Sequence, residues 1–519
     1  MKRDRREFLA GIGSGMFIAS VGSTLAIDLG LAPAHAAEGV VALNFGELEP
    51  LVCLMQDTPV HSIQRKLVEQ LNSGTSLQQL VIAGALANAR TFGGQDYNGY
   101  HTFMALAPAL EMSKQLPDAE RPLPILKVLY RNTNRIQECG GRSSEVLQEL
   151  HHASHPALPS GEEAGKRLQA ATRTAEFDTA EQVFADIAAG PANEAFNHLQ
   201  FAIQDEVDVH RIVLAWRAWK MTELAGESYA HTLLRQSVRY CVDTERSLHA
   251  TKRNPSDIRK LLPILLNDLG LFGLKPGLRT ASDAELADLS QVVFNGSREQ
   301  AARAVADALK DGMSIESVGE ALSLAANHLL LFDPGRTEEQ ASQDKPTGSV
   351  HGASVGVHAC DSANAWRNIA RVSNYRNQFA SLIVGAYHTA GQRRESLSEE
   401  LPYREHAQSL LGDSPSRLEQ LDEAIRSGDQ LTASALTYSY VSEGGKPSEL
   451  MQKLLKFAVS EEGALHAEKF YRTIQEEHRT TRPTLNWRHL VALARVTASE
   501  YGFPAAGMSE ARELLNLPG

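Results

Sequence analysis

The chain has 519 residues, of which 43% are hydrophobic and 22% are charged, as in a globular protein that buries a large core. Its length allows roughly two to four domains. The net charge of −12 argues against nucleic acid and anionic lipid as partners.

The first 36 residues have the features of an export signal. Arg5-Arg6 precedes a mildly apolar, glycine-rich stretch from Ala10 to Leu31, and Ala34-His35-Ala36 forms an A-x-A cleavage site. The segment resembles a twin-arginine (Tat) signal, which implies export of the folded protein by the Tat machinery to the periplasm or beyond. No later apolar run approaches the roughly 18 residues that cross a bilayer, so we expect no membrane insertion after cleavage.

The four cysteines form none of the usual cofactor motifs. No C-x-x-C pair occurs, which argues against an iron–sulfur cluster and structural zinc, and no C-x-x-C-H occurs, which excludes c-type haem in its usual form. A protein that folds in the cytoplasm cannot depend on disulfides, so we expect free thiols. The cysteines are Cys53, Cys139, Cys241 and Cys360.

Helical periodicity extends through nearly the whole chain. Apolar residues recur at spacings of three and four, alanine and leucine dominate, and alternating β-branched segments are scarce. The polar stretch 333–348 has the composition of a loop. The sequence therefore predicts an all-α fold. The clearest predicted helices cover Ser76–Arg90, Arg211–Leu224, Ser314–Leu331 and Leu431–Tyr440.

An internal duplication divides the predicted helices into two sets. Leu71–Leu77 resembles Leu309–Ile315, and two further pairs of segments follow in the same order at nearly the same spacing. We expect homologous helical halves over residues 37–275 and 276–519, packed with pseudo-twofold symmetry. The seam between them is the expected place for a ligand cleft.

Three histidines are candidate catalytic residues. His101 lies at a predicted helix start in the N-terminal half, and His351 is equivalent to it by order in the C-terminal half. His358 lies two helical turns after His351 and can line the same pocket. Because an unperturbed imidazole titrates near neutral pH, these side chains can transfer protons; as core histidines they would instead only hydrogen-bond a carbonyl group.

A glutamate four residues before a histidine occurs in each half and predicts a metal site. Glutamate and histidine at this spacing share one helix face, and two such pairs could hold iron, manganese or zinc. A structural hydrogen-bonded pair explains the same spacing without a metal. A third instance, Glu206 with His210, has no counterpart in the other half. The predicted metal ligands are Glu227, His231, Glu462 and His466.

Two short segments carry a family resemblance. Gly99–Glu111 (GYHTFMALAPALE) and His351–Cys360 (HGASVGVHAC) look like the histidine-bearing helices of questin-oxidase-like proteins. That family is all-α and includes enzymes assigned to the oxidative ring opening of polyketide quinonoids. The resemblance implies an oxidoreductase with His101, His351 and His358 in its pocket.

Two functions from different classes fit this sequence. The first is an exported oxidoreductase that binds a small organic substrate in a histidine-rich pocket between the halves, with or without a metal. The second is a non-catalytic helical scaffold or binding protein. No P-loop and no H-E-x-x-H occurs, which argues against nucleotide binding by that loop and against zincin proteolysis. Convergence of the histidines in space would favour the enzyme.

Overall fold

The chain folds into α-helices joined by short connections. We describe a computed structural model, in which 23 α-helices are present and the extended segments of the described part form isolated bridges but no strand. The predicted all-α fold is confirmed. The predicted Tat signal over residues 1–36 and the candidate His351 lie outside the described residues. The described residues are 42–150, 161–343, 345–350, 354–394, 399–410 and 414–518.

The first eleven helices lie before residue 276 and the other twelve follow it. The first set is α1 (Glu49–Asp57), α2 (Val60–Asn72), α3 (Leu77–Phe92), α4 (Tyr97–Ser113), α5 (Leu123–Glu138), α6 (Glu163–Arg173), α7 (Phe177–Ala188), α8 (Ala192–Ile203), α9 (Val209–Ala225), α10 (Ala230–Thr251) and α11 (Ile258–Asp268). The second set is α12 (Asp283–Asn295), α13 (Arg298–Lys310), α14 (Ile315–Leu331), α15 (Val355–Val372), α16 (Tyr375–Ala390), α17 (Tyr403–Ala407), α18 (Ser414–Arg426), α19 (Gln430–Ser442), α20 (Pro447–Ser460), α21 (Ala467–Thr480), α22 (Trp487–Glu500) and α23 (Met508–Leu514). Short 3₁₀ helices cover Gly46–Leu48, Gly141–Ser144, Glu227–Tyr229, Glu338–Gln340 and Gly463–Leu465.

Capping side chains fix the helix starts that the sequence predicts. The Ser76 hydroxyl accepts a hydrogen bond from the backbone N–H of Gln79, and the Gln79 side chain accepts one from the backbone N–H of Ser76. At the start of α14, the Ser314 hydroxyl accepts a hydrogen bond from the backbone N–H of Ser317. The four predicted helices correspond to α3, α9, α14 and α19, so periodicity located these elements correctly.

Four helices pack as a closed ring that joins the two halves of the sequence. Helix α4 packs against α9 and α21, and α15 packs against the same two helices. Since α4 and α9 precede residue 276 whereas α15 and α21 follow it, both halves supply two members of the ring. The pseudo-twofold relation between the halves stays a prediction.

Glycines allow close packing at the starts of α4 and α15. A Cβ atom at Gly99 would lie 2.5 Å from the Phe92 ring, and one at Gly356 would lie 2.3 Å from the Cα of Leu330. Both distances are shorter than a van der Waals contact, so any larger side chain would push the helix away. Each glycine lies two residues before a histidine, and it thereby sets where that imidazole enters the ring of helices.

The state of the cysteines and the lengths of the helices match what we expect from the sequence. All four cysteines are free; Cys241 and Cys360 are buried, and Cys53 and Cys139 are partly exposed. None of the helices in the described ranges is long and apolar enough to span a bilayer.

We expect a partly buried histidine on α14 to make the fold sensitive to acid. His328 on α14 packs against Phe294, with ring centroids 5.4 Å apart. Burial lowers the pKa of His328 to about 3, whereas a histidine in an unfolded chain has a pKa of about 6.5. The unfolded state therefore binds this proton more tightly. The contribution to stability is complete above about pH 6.5 and is lost as the pH falls towards about 3.

We predict that His328→Gln reduces this sensitivity. Between pH 7 and pH 5, the free energy of unfolding of the wild type should fall by about 2 kcal/mol more than that of the variant. Urea unfolding at both pH values measures the difference. His61, which is exposed, provides the control: His61→Gln should lose as much stability as the wild type. Equal losses in all three proteins would contradict the assignment.

Candidate functional site

Four histidines from the ring of helices converge, and we call them the histidine cluster: His101, His210, His358 and His466. The ring centroid of His101 lies 4.8 Å from that of His210 and 5.1 Å from that of His466. The centroid of His358 lies 5.5 Å from that of His210 and 5.1 Å from that of His466. The imidazoles thus form a closed set of neighbours, with two contributed by each half of the sequence.

Each histidine stands at or near the start of its helix. His210 is the second residue of α9, His466 immediately precedes α21, and His101 and His358 lie in the early turns of α4 and α15. Polar contacts hold these starts in place. Asp96 accepts a hydrogen bond from the N–H of Gly99 at 2.7 Å, and the Asn88 side chain donates to the Gly99 carbonyl at 2.8 Å.

The ring nitrogens of the cluster are only partly hydrogen-bonded. Nδ1 of His101 lies 2.7 Å from the Tyr97 carbonyl, to which it donates, so Nε2 carries the lone pair. The Nε2 atoms of His101 and His210 are buried and have no hydrogen-bond partner among the described residues. Nε2 of His358 lies 3.2 Å from Nε2 of His466. The Nε2 atoms of His101 and His210 are therefore left as unpartnered nitrogens, and those of His358 and His466 lie within hydrogen-bond distance of each other.

Burial keeps His101, His210 and His358 neutral at neutral pH. It lowers the pKa values of His101 and His358 well below the usual range and that of His210 to about 4. Lys469 on α21 lowers all three further by charge repulsion. Lys469 is itself only 1% exposed, and burial lowers its pKa to about 7 although Asp361 opposes the shift. Neutral imidazole is the form that binds metals and accepts protons.

A cavity of about 1650 Å³ opens next to the cluster. His210 and His358 line it, together with the phenol rings of Tyr97, Tyr100 and Tyr240. Both sequence halves contribute walls, and so does the polar stretch 333–348 that the sequence predicts as a loop; Asp344 within it lies outside the described residues. The volume exceeds that of a typical small-molecule pocket, so an organic substrate can reach the two histidines.

The structure brings together some of the predicted site residues and separates others. His101, His358 and His466 meet in the cluster. His231 instead packs against Phe184, with ring centroids 5.8 Å apart, and Glu462 pairs with Arg131 at 3.0 Å. As the side chains stand, no three or more histidine, cysteine, aspartate and glutamate residues within the described ranges are arranged to hold a metal ion. Glu227, His231, Glu462 and His466 accordingly do not form one.

A break in helical geometry explains why the predicted set does not assemble. Glu227 belongs to a 3₁₀ helix, whereas His231 lies in α10. Glu462 precedes another 3₁₀ helix, and Leu465, with φ of +70°, separates it from His466. Residues four apart share a face only within a continuous α-helix, so neither pair has the geometry that the spacing implied.

His210 is the cluster member that sequence reasoning did not place. When the two Glu-x-x-x-His segments are paired, His231 corresponds to His466, and His210 is left without a counterpart. A different pairing is visible in the sequence: His101 and His358 are 257 residues apart, and His210 and His466 are 256 residues apart. Both His101 and His358 also follow a glycine in the pattern G-x-H. This shared spacing would have selected the four clustered histidines.

A buried ion network holds the start of α21 beside α5. Lys127 and Arg131 on α5 lie 2.8 Å and 3.2 Å from the carboxylate of Glu468. Burial alone would raise the pKa of Glu468, but these two cations outweigh it and lower the pKa to about 2. Because Glu468 lies two residues after His466, the network also fixes the position of that imidazole.

Comparison with known proteins adds no relative: no family model, curated protein or solved structure matches the chain. Function must therefore be argued from the geometry of the cluster and the cavity.

We predict that Glu468→Gln destabilises the protein strongly. Removing the carboxylate charge leaves Lys127 buried without a counter-ion, and such a loss costs about 3 kcal/mol or more in free energy of unfolding. Urea denaturation near neutral pH measures it. Glu69→Gln is the matched control, because Glu69 pairs with Lys66 while about half exposed. That change should cost less than about 1 kcal/mol. An equally small cost for Glu468→Gln would show that the network is not needed.

Proposed function

We propose that the protein is a metal-dependent oxidoreductase that acts on a small organic substrate in the cavity. The observation that carries this proposal is the convergence of four histidines, two of them buried and two partly exposed, beside a large cavity lined by phenols. Imidazoles from facing helices are a common metal-binding arrangement in helical bundles. The ligands proposed here are His101, His210, His358 and His466, which replace the set expected from the sequence.

Two features of the cluster fit an ion bound through Nε2. The Nε2 atoms of His358 and His466 are 3.2 Å apart, and two nitrogens about 2.1 Å from one ion are separated by about 3.0–3.4 Å. His101 already uses Nδ1 to donate to a carbonyl, which is the usual partner of a metal-binding histidine. Since the rings as they stand form no ready ion site, binding requires the imidazoles to rotate until their Nε2 atoms face one point.

The ligand type favours iron over the other metals considered. Neutral imidazoles suit iron and zinc, whereas manganese is better matched by carboxylates. Zinc has no redox chemistry in proteins, so an oxidoreductase would use iron. When bound, iron would supply Lewis-acid and redox chemistry at an oxygen-bearing substrate.

The phenols of the cavity wall would bind and orient the substrate. Burial raises the pKa values of Tyr97 and Tyr100, so both hydroxyls stay protonated at neutral pH. Their rings can contact a planar substrate, and a hydroxyl that reaches the cavity can donate a hydrogen bond to a substrate oxygen. This lining agrees with the quinonoid type of substrate that the resemblance to questin-oxidase-like proteins implies.

Export in the folded state belongs to the same proposal. A metal bound in the cytoplasm would be carried across the membrane inside a protein that folds first. The support is the resemblance of residues 1–36 to a Tat signal and the position of the cluster within a closed ring of helices.

Metal loading tests the proposal. The purified protein would be incubated with Fe(II) without oxygen, desalted and analysed for metal, and oxygen uptake would then be followed with phenols, hydroquinones and quinones. We expect near-stoichiometric iron and turnover of at least one class. His358→Gln and His466→Gln should each weaken iron binding by about tenfold or more, because each removes a ligand.

His231→Gln is the matched control, since it alters a partly buried histidine outside the cluster. It should bind iron as the wild type does. If His231→Gln lost iron binding and His358→Gln kept it, the metal would be bound outside the histidine cluster. A wild-type protein that binds no metal and turns over none of these compounds would overturn the proposal and favour a non-catalytic helical scaffold.

A further inference from the structure

We propose that Asp208 is the positioning residue of the site, where it orients the imidazole of His210 and the phenol of Tyr240. Its importance for a reaction rests on the proposed function, but its effect on the two side chains can be measured in the metal-free protein. Asp208 does not touch the interior of the histidine cluster; it would act through the two residues that it holds.

One oxygen of Asp208 is the acceptor for three hydrogen bonds. Its Oδ1 accepts from the backbone N–H groups of His210 and Arg211 at 2.9 Å and 3.0 Å, as the N-cap of α9. The same oxygen accepts from the hydroxyl of Tyr240 on α10 at 2.8 Å. The carboxylate thus ties the start of α9 to the wall of the cavity.

The same oxygen also faces the ring of His210. Nδ1 of His210 lies 3.7 Å from Oδ1 of Asp208. This distance is too long for a good hydrogen bond, but it is short enough for the carboxylate charge to attract a hydrogen on Nδ1. A carboxylate on this side favours the tautomer with hydrogen on Nδ1. Nε2, which is buried without a hydrogen-bond partner among the described residues, then carries the lone pair and faces away from Asp208.

Helices of this protein are capped by neutral as well as by charged side chains. Ser314 and Ser354 cap α14 and α15 with neutral hydroxyls, and Ser354 does so close to His358. The side chain of Asp208 is 38% exposed and lines the cavity, so its charge is available to groups there. At Asp208 the additional partners are Tyr240 and His210, and both line the cavity. The carboxylate is therefore suited to orienting these two side chains.

The hydrogen bond to Asp208 also decides what Tyr240 offers to a ligand. Because the Tyr240 hydroxyl donates its hydrogen to Asp208, its oxygen is left as an acceptor. A hydroxyl group of a substrate could donate to that oxygen. Phe at this position would keep the ring and remove the acceptor.

The test compares Asp208→Asn with the wild type by NMR of protein labelled with ¹⁵N-histidine and free of metal. Asparagine keeps an oxygen that can cap α9 but carries no charge. We expect the wild-type signals of His210, identified by their absence in His210→Gln, to show hydrogen on Nδ1. In Asp208→Asn this preference should be lost, with both tautomers populated. Iron binding should weaken by about tenfold or more in the same variant.

Asp429→Asn is the matched control. Asp429 caps α19 by accepting from the N–H of Thr432 at 2.9 Å, and no member of the histidine cluster contacts it. Its variant should leave the His210 signals unchanged. Should Asp208→Asn fail to fold, Asp208→Ser keeps the type of cap found at α15 and is expected to give the same tautomer change.

The outcomes separate this proposal from the proposed function. An unchanged His210 tautomer in the folded Asp208 variants would overturn the positioning role, even if wild-type iron binding is as expected. A changed tautomer in a protein whose wild type binds no iron would support the positioning role and overturn the metal-dependent function. If the His210 tautomer also changed in Asp429→Asn, the change would be a general effect of altering a helix cap. That result would also overturn the positioning role of Asp208.

Discussion

Helices α4 and α15 each pack against both α9 and α21, and this closed arrangement is the constraint on which the site depends. A ring of four helices leaves little freedom for any one of them to slide, because each is held on two sides. Glycines at 99 and 356 permit the close contacts at two of the helix starts. The buried pairing of Glu468 with α5 holds the start of α21. The four histidines meet because these helix starts are fixed together.

The electrostatics of the cluster follow from the same packing. Burial removes water from the imidazoles and disfavours their charged form more than their neutral form. They therefore remain unprotonated at neutral pH. Lys469, when it is protonated, strengthens this preference by charge repulsion. Asp208 faces His210 from the other side, near the cavity. The result is a set of neutral nitrogen donors between the helices, next to phenols that stay protonated.

Much of the fold could be predicted from the sequence because helix formation is a local property. Apolar residues at spacings of three and four located α3 and α14 correctly, and the structure shows Ser76 and Ser314 capping these helices. The sequence predicts His101 as a site candidate from its place at a predicted helix start, and His358 from its spacing of two helical turns from His351. In the structure they are neighbours of His210 and His466.

The pairing of residues across the halves could not be predicted in the same way. The Glu-x-x-x-His spacing was interpreted on the assumption of continuous helices, and 3₁₀ turns interrupt both instances. His210 was not predicted as a site residue, because the spacing that pairs His231 with His466 gives it no counterpart. Contacts such as that of Arg131 with Glu462 depend on tertiary packing, which periodicity does not encode.

X-ray absorption spectroscopy at the iron edge of the iron-loaded protein tests the central claim most directly. Iron held by the histidine cluster should show a first shell that includes four nitrogens at roughly 2.0–2.2 Å, with the outer-shell scattering of imidazole rings. The imidazole signal should decrease in His466→Gln and stay unchanged in His231→Gln. A first shell of oxygen alone, without imidazole scattering, would contradict the account.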